Sequence, residues 1–430
     1  MNETIELAIE QFRNNAGRYR RSSRYYAGEH SLSFATEKFA NTFGDLFREF
    51  ALNLCPAVCD AIKDKLKITG FSVRSEERDK SRTLSADVNE IWRANRMAIR
   101  AGEVHKEALK NGDAYVIVWP AADGTVQIFP NTAETCTVGY DEEMPGRVKW
   151  AAKYWRTPEK RTRLNLFFPD RIEKFISKDA QDGFLPNAES FTPTVESARS
   201  IASKNAEERD ESRTLNNPFG VVPVFHFANN ADIGSFGVSE LEPAIPVQDG
   251  LNKAVLDMLV AMEVCAYRQR WAAGIEIQYD KDGNAAAPFK AGIDHLWLAE
   301  NPDAKFGDFA AADLEQFLKV KDGFRIDIAS VTGTPLYYLM PQVRGFPSGE
   351  SLRKAETRFI AKVRDRQEQF GTVWEDVMSF ALRIAGQANA AVTTEWEPAS
   401  PLTEREMLEN LRIKRDLGIS LEQILREAVY

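Results

Sequence analysis

The sequence predicts an α+β fold, mainly helical, in which very long helices frame an antiparallel meander and a small α/β module. Three observations predict it. First, Pro347-Ser348-Gly349-Glu350 is followed by more than thirty residues without a proline, with apolar residues at Leu352, Ala355, Phe359, Val363, Phe370, Val373, Val377 and Ala381. Steps of three, four and seven put these side chains on one helical stripe. Second, short strand-like runs separated by turn residues fill 114–176. Third, Ala254 to Ala266 is apolar almost all round, broken only by Asp257 and Glu263. Such a helix must be covered on every side, by its own chain or by neighbouring copies.

The elements follow in order. Thr4 to Ala27 reads as a helix that becomes arginine-rich (Arg18, Arg20, Arg21, Arg24) and stops at Gly28. Leu52 to Leu66 carries Leu54, Val58, Ile62 and Leu66 at helical spacing and ends before Gly70-Phe71. Ser85 to Leu109 reads as one further helix with Val88, Ile91, Trp92, Ile99, Val104 and Ala108 inward. At Asn111-Gly112 the period changes. Ala114–Trp119, Val126–Phe129, Val148–Trp155, Leu164–Phe168 and Arg171–Ile176 then read as strands of a single antiparallel sheet. Ala122-Asp123-Gly124, Thr157-Pro158-Glu159-Lys160 and Pro169-Asp170 supply turns.

Ser177 to Asn217 is polar and lacks apolar periodicity, the pattern of an exposed, mobile insertion. Pro218 to Val224 returns to a buried extended segment. A helix from about Ser239 to Trp271 follows, regular from Val247 because Pro243 and Pro246 are tolerated only near a helix start. Ile275–Tyr279, the turn Asp280-Lys281-Asp282-Gly283 and Ile293–Leu298 form the small module. Asp313 to Thr332 is helical again, with Leu314, Phe317, Leu318, Val320, Phe324, Ile328 and Val331 apolar, and Gly333-Thr334-Pro335 stops it. The last helix of the frame, Ser348 to Ile384, has Ser348 to cap it and Glu350 in its first turn. It would be roughly 55 Å long at ~1.5 Å per residue, longer than a small domain is wide, and reads as a strut or equally, from these residues alone, as an ordinary long core helix. Beyond Trp396, Pro398 and Pro401, Thr403 to Tyr430 offers only short helices.

Composition narrows the function. The chain has 430 residues, 43% hydrophobic and 28% charged, with 64 acidic against 55 basic residues for a net charge of −9. Tight grip on nucleic acid usually needs a basic excess, so this chain is not expected to hold DNA or RNA firmly. It can surround a polyanion that has to move past it. Four cysteines (Cys55, Cys59, Cys136, Cys265) do not make a disulfide scaffold and suit a reducing cytoplasm. Cys55 and Cys59 share a helical face, but no second Cys/His pair completes a metal site. Met1-Asn2-Glu3-Thr4 does not start a signal peptide, and no segment reaches the ~20 apolar residues of a membrane span.

Catalytic patterns are not found. No Gly-Lys-Ser or Gly-Lys-Thr phosphate loop occurs, and His30, His105, His226 and His295 form no metal-ligand pair. Asp280-Lys281-Asp282-Gly283 lacks the later ligands of a calcium loop and reads as a hairpin turn. Neither an enzyme nor a cofactor is expected.

The order long helix, small knob, helix, loop, very long helix is similar to that of the portal proteins of tailed bacteriophages. Several strings resemble that family in order. They are Tyr25-Tyr26-Ala27-Gly28-Glu29-His30, Asn53-Leu54 through Gly70-Phe71, and Ala108-Leu109-Lys110-Asn111-Gly112-Asp113-Ala114-Tyr115-Val116. Then come Pro218–Phe227, Ser239-Glu240-Leu241-Glu242-Pro243 with Gln248-Asp249-Gly250-Leu251-Asn252, Gln269-Arg270-Trp271, and Pro347 to Arg353. The likeness covers about Thr4 to Phe380.

The resemblance implies a ring, usually a dodecamer, at a capsid vertex of the virion, assembled in the host cytoplasm. Double-stranded DNA would be driven in by a terminase and later leave, with a head–tail adaptor and the major capsid protein as further partners and no membrane. It implies a wing (1–238 with 348–396), stem helices (239–271 and 313–333), a clip (272–312), a tunnel loop (334–347, within it Leu336–Phe346) and a short crown-like end (397–430). Gln342, Arg344 and Phe346 in the loop, with Lys319, Lys321 and Arg325 on the second stem helix, are the candidates to face DNA. The basic residues among them read equally as ordinary solvated charges. Val255, Leu259, Met262, Arg268, Arg270 and Trp271 are the candidates for the subunit interface. The alternative is a minor capsid or scaffold-type head protein without a channel.

Overall fold

The structure is a computed structural model and describes residues 3–34, 41, 50–74, 77–180, 185–194, 214–266, 270–274, 278–279, 285–286, 302–308, 315–340, 349–387, 390–400 and 404–419. In chain order, α1 (Glu3–Tyr26), α2 (Cys55–Lys63), β1 (Ile68–Arg74), α3 (Arg78–Ala94) and α4 (Met97–Asn111) lead into the strands. These are β2 (Asp113–Pro120), β3 (Val126–Thr132), β4 (Cys136–Tyr140), β5 (Val148–Arg156), β6 (Thr162–Phe167), β7 (Arg171–Ser177), β8 (Phe191–Pro193), β9 (Thr214–Asn216) and β10 (Val224–Ala228). Next come α5 (Ile245–Ala266), β11 (Arg270–Ala273), β12 (Gln278–Tyr279), β13 (Ala285–Ala286), β14 (Lys305–Asp308) and α6 (Glu315–Thr332). A 3-10 turn (Leu336–Tyr338), α7 (Gly349–Ile384), β15 (Ala391–Trp396) and α8 (Glu404–Asp416) complete the described elements. They divide into two compact units, one of Met1–His30, Asn53–Gln248 and Asp327–Tyr430, the other of Ser31–Leu52 and Asp249–Ile326.

In the first unit the expected single meander is two sheets. β3, β2 and β10 form a three-stranded antiparallel sheet, and β4 to β9 form a six-stranded one. The division falls at β4, a strand not anticipated because Gly139 interrupts its apolar run. That glycine is needed for space: a Cβ there would come within 2.2 Å of the Trp150 ring on β5. Burial on both faces of the larger sheet fixes its register. Trp150, Ala152, Leu164, Leu166 and Phe175 pack with Ile5, Ala8, Ile9 and Phe12 of α1. Val138, Ala151, Phe167 and Ile172 pack with Tyr19, Tyr115, Ile117 and Val224. The polar insertion is ordered at both ends, since β8 and β9 lie end to end along β7, pairing Phe175–Ser177 and Arg171–Glu173. Residues 181–184 and 195–213 of it lie outside the described residues.

The helix expected from Ser85 to Leu109 is also two. It breaks at Asn95, whose buried amide donates to the carbonyls of Ile91 and Val126 (3.0 Å each) and accepts from the Ile128 amide (2.9 Å). Arg96 follows with φ 54°. One side chain satisfies the edge of β3, and the helix gives way to it. A second strand pair was hidden where the sequence suggested a helix stop: β1 pairs antiparallel with β15, more than three hundred residues away in the chain. The outer edge of β1 is closed by α3. Asn89 donates to the Phe71 carbonyl (2.8 Å) and accepts from its amide (3.1 Å), and Ser85 accepts from the Val73 amide (2.9 Å).

The long helix α7 runs from Gly349 to Ile384, as its stripe predicts. Its buried face carries Phe370, Trp374 and Val377. Trp374 donates its indole N–H to His105 Nε2 at 2.8 Å and meets Trp92 and Phe227 edge-on or tilted. Burial pushes His105 from 6.5 down to about 3. The folded chain therefore holds it neutral while the unfolded chain takes up a proton below about pH 6.5. Stability is complete above that pH and falls as pH drops towards 3, by about 1.4 kcal/mol per pH unit from this group. His105→Gln is expected to flatten this acid limb by that slope while lowering stability at neutral pH. Urea midpoints at pH 7, 5 and 4 check it, and an unchanged slope would mean the acid limb has another origin.

The second unit is smaller. Within it, part of α5 and α6 accompany two strand pairs, β11–β14 and β12–β13. Trp271 on β11 lies across from Gly307 on β14, where a Cβ would meet the indole at 2.6 Å. The β14 strand was not foreseen; Ile293–Leu298, expected as a strand, lies outside the described residues.

Candidate functional site

Gln342, Arg344, Phe346 and Arg268 lie outside the described residues, and so does the whole segment 341–348. What the structure gives is the frame around that segment. Leu336 to Tyr338 is not open loop but a 3-10 turn seated on α7. The Tyr337 hydroxyl donates to Glu356, the Tyr338 ring stands 6.0 Å from Phe359, and Leu339 is buried. The chain re-enters the described structure at Gly349, where α7 begins. Both ends of 341–348 are thereby tied to one helix.

That helix is itself fixed by a buried ionic node. Glu240, in the segment between β10 and α5, faces Lys362 at 2.5 Å and Arg366 at 3.1 Å, side chains one turn apart on α7. Asn229 donates to the same carboxylate at 3.2 Å. Burial pushes the Glu240 carboxyl up, but Lys362 and then Arg366 outweigh it and hold it below the ordinary range. Lys362 also donates to the carbonyl of Thr332 at 2.9 Å, the last residue of α6. Four carbonyls at a helix end lack intrahelical partners, so a cation there satisfies one and complements the dipole. Three segments distant in sequence meet at one lysine.

A second node lies where α1 crosses β2. The carboxylate of Asp113, fully buried, accepts from Arg18 (2.6 Å) and Tyr19 (2.7 Å) on one oxygen, and from His226 Nε2 and the Gly237 amide (2.7 Å each) on the other. The Tyr140 hydroxyl lies 2.6 Å from His226 Nδ1. Burial, then Asp113, pushes Tyr140 up to about 12, so it keeps its proton. The backbone is built for this closeness. Gly112 has φ +93°, and a Cβ on it would meet the Gly237 carbonyl oxygen at 2.6 Å. The tyrosine–histidine–aspartate order has the look of a proton relay, yet the acid is sealed and takes all four of its donors from within the protein. It is a latch between α1, β2 and β10.

The remaining candidates sit on α5, α6 and β11. Val255 is 5% exposed and so is already covered by its own chain, whereas Met262 is 46% exposed and Leu259 lies between. Large apolar side chains are left open from Trp271 (40%) to Ile326 (50%), with Phe306, Leu318 and Val320 between those values. On α6 only Ile328 and Thr332 are buried. Lys319 pairs with Glu315 at 3.1 Å and Arg325 with Asp322 at 3.3 Å, while Lys321 is half-buried. The Lys319–Glu315 pair is exposed and contributes little, so Lys319 can exchange partners, whereas the Arg325 side chain is only 22% exposed. Arg270 takes the register position opposite Asp308.

The family model for "Phage portal protein, SPP1 Gp6-like" matches residues 6–429. The chain belongs to that portal protein family. The portal protein of Mycobacterium phage L5 is 25% identical over 338 residues, covering 76% of this chain and 63% of that one. The portal protein of Mycobacterium phage D29 gives the same identity and coverage. The chain thus spans about 63% of the length of these relatives. Two solved structures are similar. One is a chain from "Neck of empty GTA particle computed with C6 symmetry" (13% identity, TM-score 0.48, covering 85% of this chain and 86% of that one). The other is from "Virion of native gene transfer agent (GTA) particle" (12%, TM-score 0.49, covering 93% and 89%). The strings that carry the family resemblance contain the latch and the node: Asn111-Gly112-Asp113 holds the first acid, Ser239-Glu240-Leu241 the second. Of their partners, His226 lies in the Pro218–Phe227 string and Arg18 in the arginine-rich end of α1, whereas Lys362 and Arg366 had no local signal and are isolated charges until the fold brings them in.

Proposed function

We propose that this protein is the portal subunit of a phage-like particle, a structural rather than catalytic component. Copies close into a ring, usually a dodecamer in this family, at one capsid vertex. Double-stranded DNA enters through the ring during packaging and leaves by it. Terminase and later the head–tail adaptor dock on the clip (272–312), and the wing (1–238 with 348–396) meets the major capsid protein. The stem comprises 239–271 and 313–333, and 397–430 supplies crown-like helices. The observation that carries this reading is the family match over nearly the whole chain. The open large apolar side chains of α5, α6, β11 and β14 support it, since such side chains gathered in one small unit suit an interaction surface.

In this reading Gln342, Arg344 and Phe346 sit on the tunnel loop, whose flanking residues are anchored on α7. Lys319, Lys321 and Arg325 add cations along α6. Leu259, Met262, Arg268, Arg270 and Trp271 belong to the contact between copies, Met262 and Trp271 being open to it, while Val255, covered by its own chain, backs that face from within. No described helix is long and apolar enough to cross a membrane.

Native mass spectrometry with negative-stain images tests the ring: closed rings with a central hole support it, and a persistent monomer turns the reading towards a head protein without a channel. Met262→Asp is expected to leave the melting temperature of the subunit within a few degrees, since exposed substitutions stay near ±0.5 kcal/mol, while oligomer mass is lost. Replacing Pro341 to Phe346 by a glycine–serine linker of equal length should leave rings intact but reduce DNA packaging or retention. Rings that package normally would remove the loop from the mechanism.

A further inference from the structure

The first unit carries an acidic knob and a basic groove that cannot reach each other within one chain. The β4–β5 turn presents Asp141, Glu142, Glu143 and Met144, the last three well exposed. The turn is rigid. The Asp141 amide donates to the Arg147 carbonyl (2.8 Å), the Arg147 amide to the Met144 carbonyl (3.0 Å), and Asp141 accepts from the Glu143 amide (3.0 Å). Neither Glu142 nor Glu143 has an ion-pair partner among the described residues.

At the other end of the same two strands lies a groove of about 750 Å³ between α1 and the end of β5. Its floor is apolar, with Phe12 and Tyr154 in edge contact at 4.8 Å. Its rim bears Arg13, Arg20 and Arg156. Arg13 is held by the Leu185 carbonyl and Asn187, whereas Arg20 and Arg156 are exposed and meet no carboxylate ion pair among the described residues. Burial, then Glu134, pushes Tyr154 up, while Arg20 and Arg156 act against it, so both arginines reach the groove floor with one carboxylate nearby.

Gly17 adds an independent observation. It lines the groove in the middle of α1, and a Cβ there would meet nothing within 4 Å. Glycine inside a helix costs about 1 kcal/mol relative to alanine. No described residue comes close enough to require it; a second backbone or side chain approaching the groove would.

We infer that the acidic β4–β5 turn of one copy docks in the arginine-rimmed groove of the next, with Met144 on the apolar floor and Glu142 and Glu143 facing Arg20 and Arg156. Knob and groove lie at opposite ends of β4, roughly 17 Å apart at ~3.3 Å per residue, so the contact is head-to-tail. A head-to-tail contact closes a ring when its rotation closes. The inference rests on the ring reading above and names one of its contacts.

Charge exchange tests it. Glu142→Lys with Glu143→Lys, and separately Arg20→Glu with Arg156→Glu, are each expected to raise the protein concentration for half-assembly about tenfold, read by native mass spectrometry. All four changes together should recover most of that loss, because the pair is restored with its sign inverted. Gly17→Leu should fill the groove and weaken assembly equally while the thermal melt of the subunit stays the same or rises. A Gly17→Cys, Met144→Cys chain should give a cross-linked ladder with a short bismaleimide that neither single variant gives. A wild-type chain that never oligomerises overturns the ring reading and this contact with it. Rings that ignore these changes, or a fourfold variant no better than either pair, overturn the contact alone.

Discussion

Asp113→Asn is expected to lower stability by about 3–5 kcal/mol, the usual effect of removing one partner from a buried ionic cluster. The carboxylate is wholly enclosed and accepts from four donors, two on each oxygen. Asparagine of the same shape offers one accepting oxygen and turns two N–H groups towards donors. Arg18, whose side chain is 35% exposed, regains part of its hydration, which moderates the loss. His226 and the Gly237 amide cannot, because both are sealed. Urea midpoints check the prediction, with Tyr19→Phe as a reference that removes one donor and should cost about 1 kcal/mol. If the asparagine variant costs no more than that reference, the latch is packing and not charge.

Glu240→Gln is expected to be comparably costly, about 3–5 kcal/mol, since it leaves Lys362 and Arg366 facing a neutral amide. Arg366 is as buried as the acid it serves. Replacing all three by methionine should be much milder than the single change, because no charge is then stranded. The comparison separates a charge cluster from a mere volume. Under the portal reading there is a functional consequence too. Lys362 holds the end of α6 to the helix that anchors both ends of 341–348, so rings formed by the glutamine variant should retain DNA poorly. Rings with normal retention would show that the node serves folding only.

The helical frame was legible because helices are local. The boundaries of α1, α6 and α7 lie within two or three residues of what periodicity and stop signals predict. The strands β2, β3, β5, β6 and β7 were legible for the same reason, as apolar runs bounded by turns. Which strands share a sheet was not. β10 joins β2 across about a hundred residues, and β15 joins β1 across three times as many. No local pattern distinguishes a partner at that range. The break at Asn95 was hidden as well, since an asparagine within a helical stripe acts as a cap only when a strand edge arrives beside it.

By itself, then, the sequence determined the long helices, the acidic balance, the family strings and the family to which the chain belongs. These depend on spacing along the chain and on residue types, and both can be read without coordinates. Tertiary structure alone decided the two-sheet division, the seating of Leu336–Tyr338 on α7, and the pairing of Asp113 with Arg18 and His226 and of Glu240 with Lys362 and Arg366. The physical reason is that a buried charge is tolerable only beside its partner. Where the partners are far apart in sequence, the fold that joins them is the only place the pair exists.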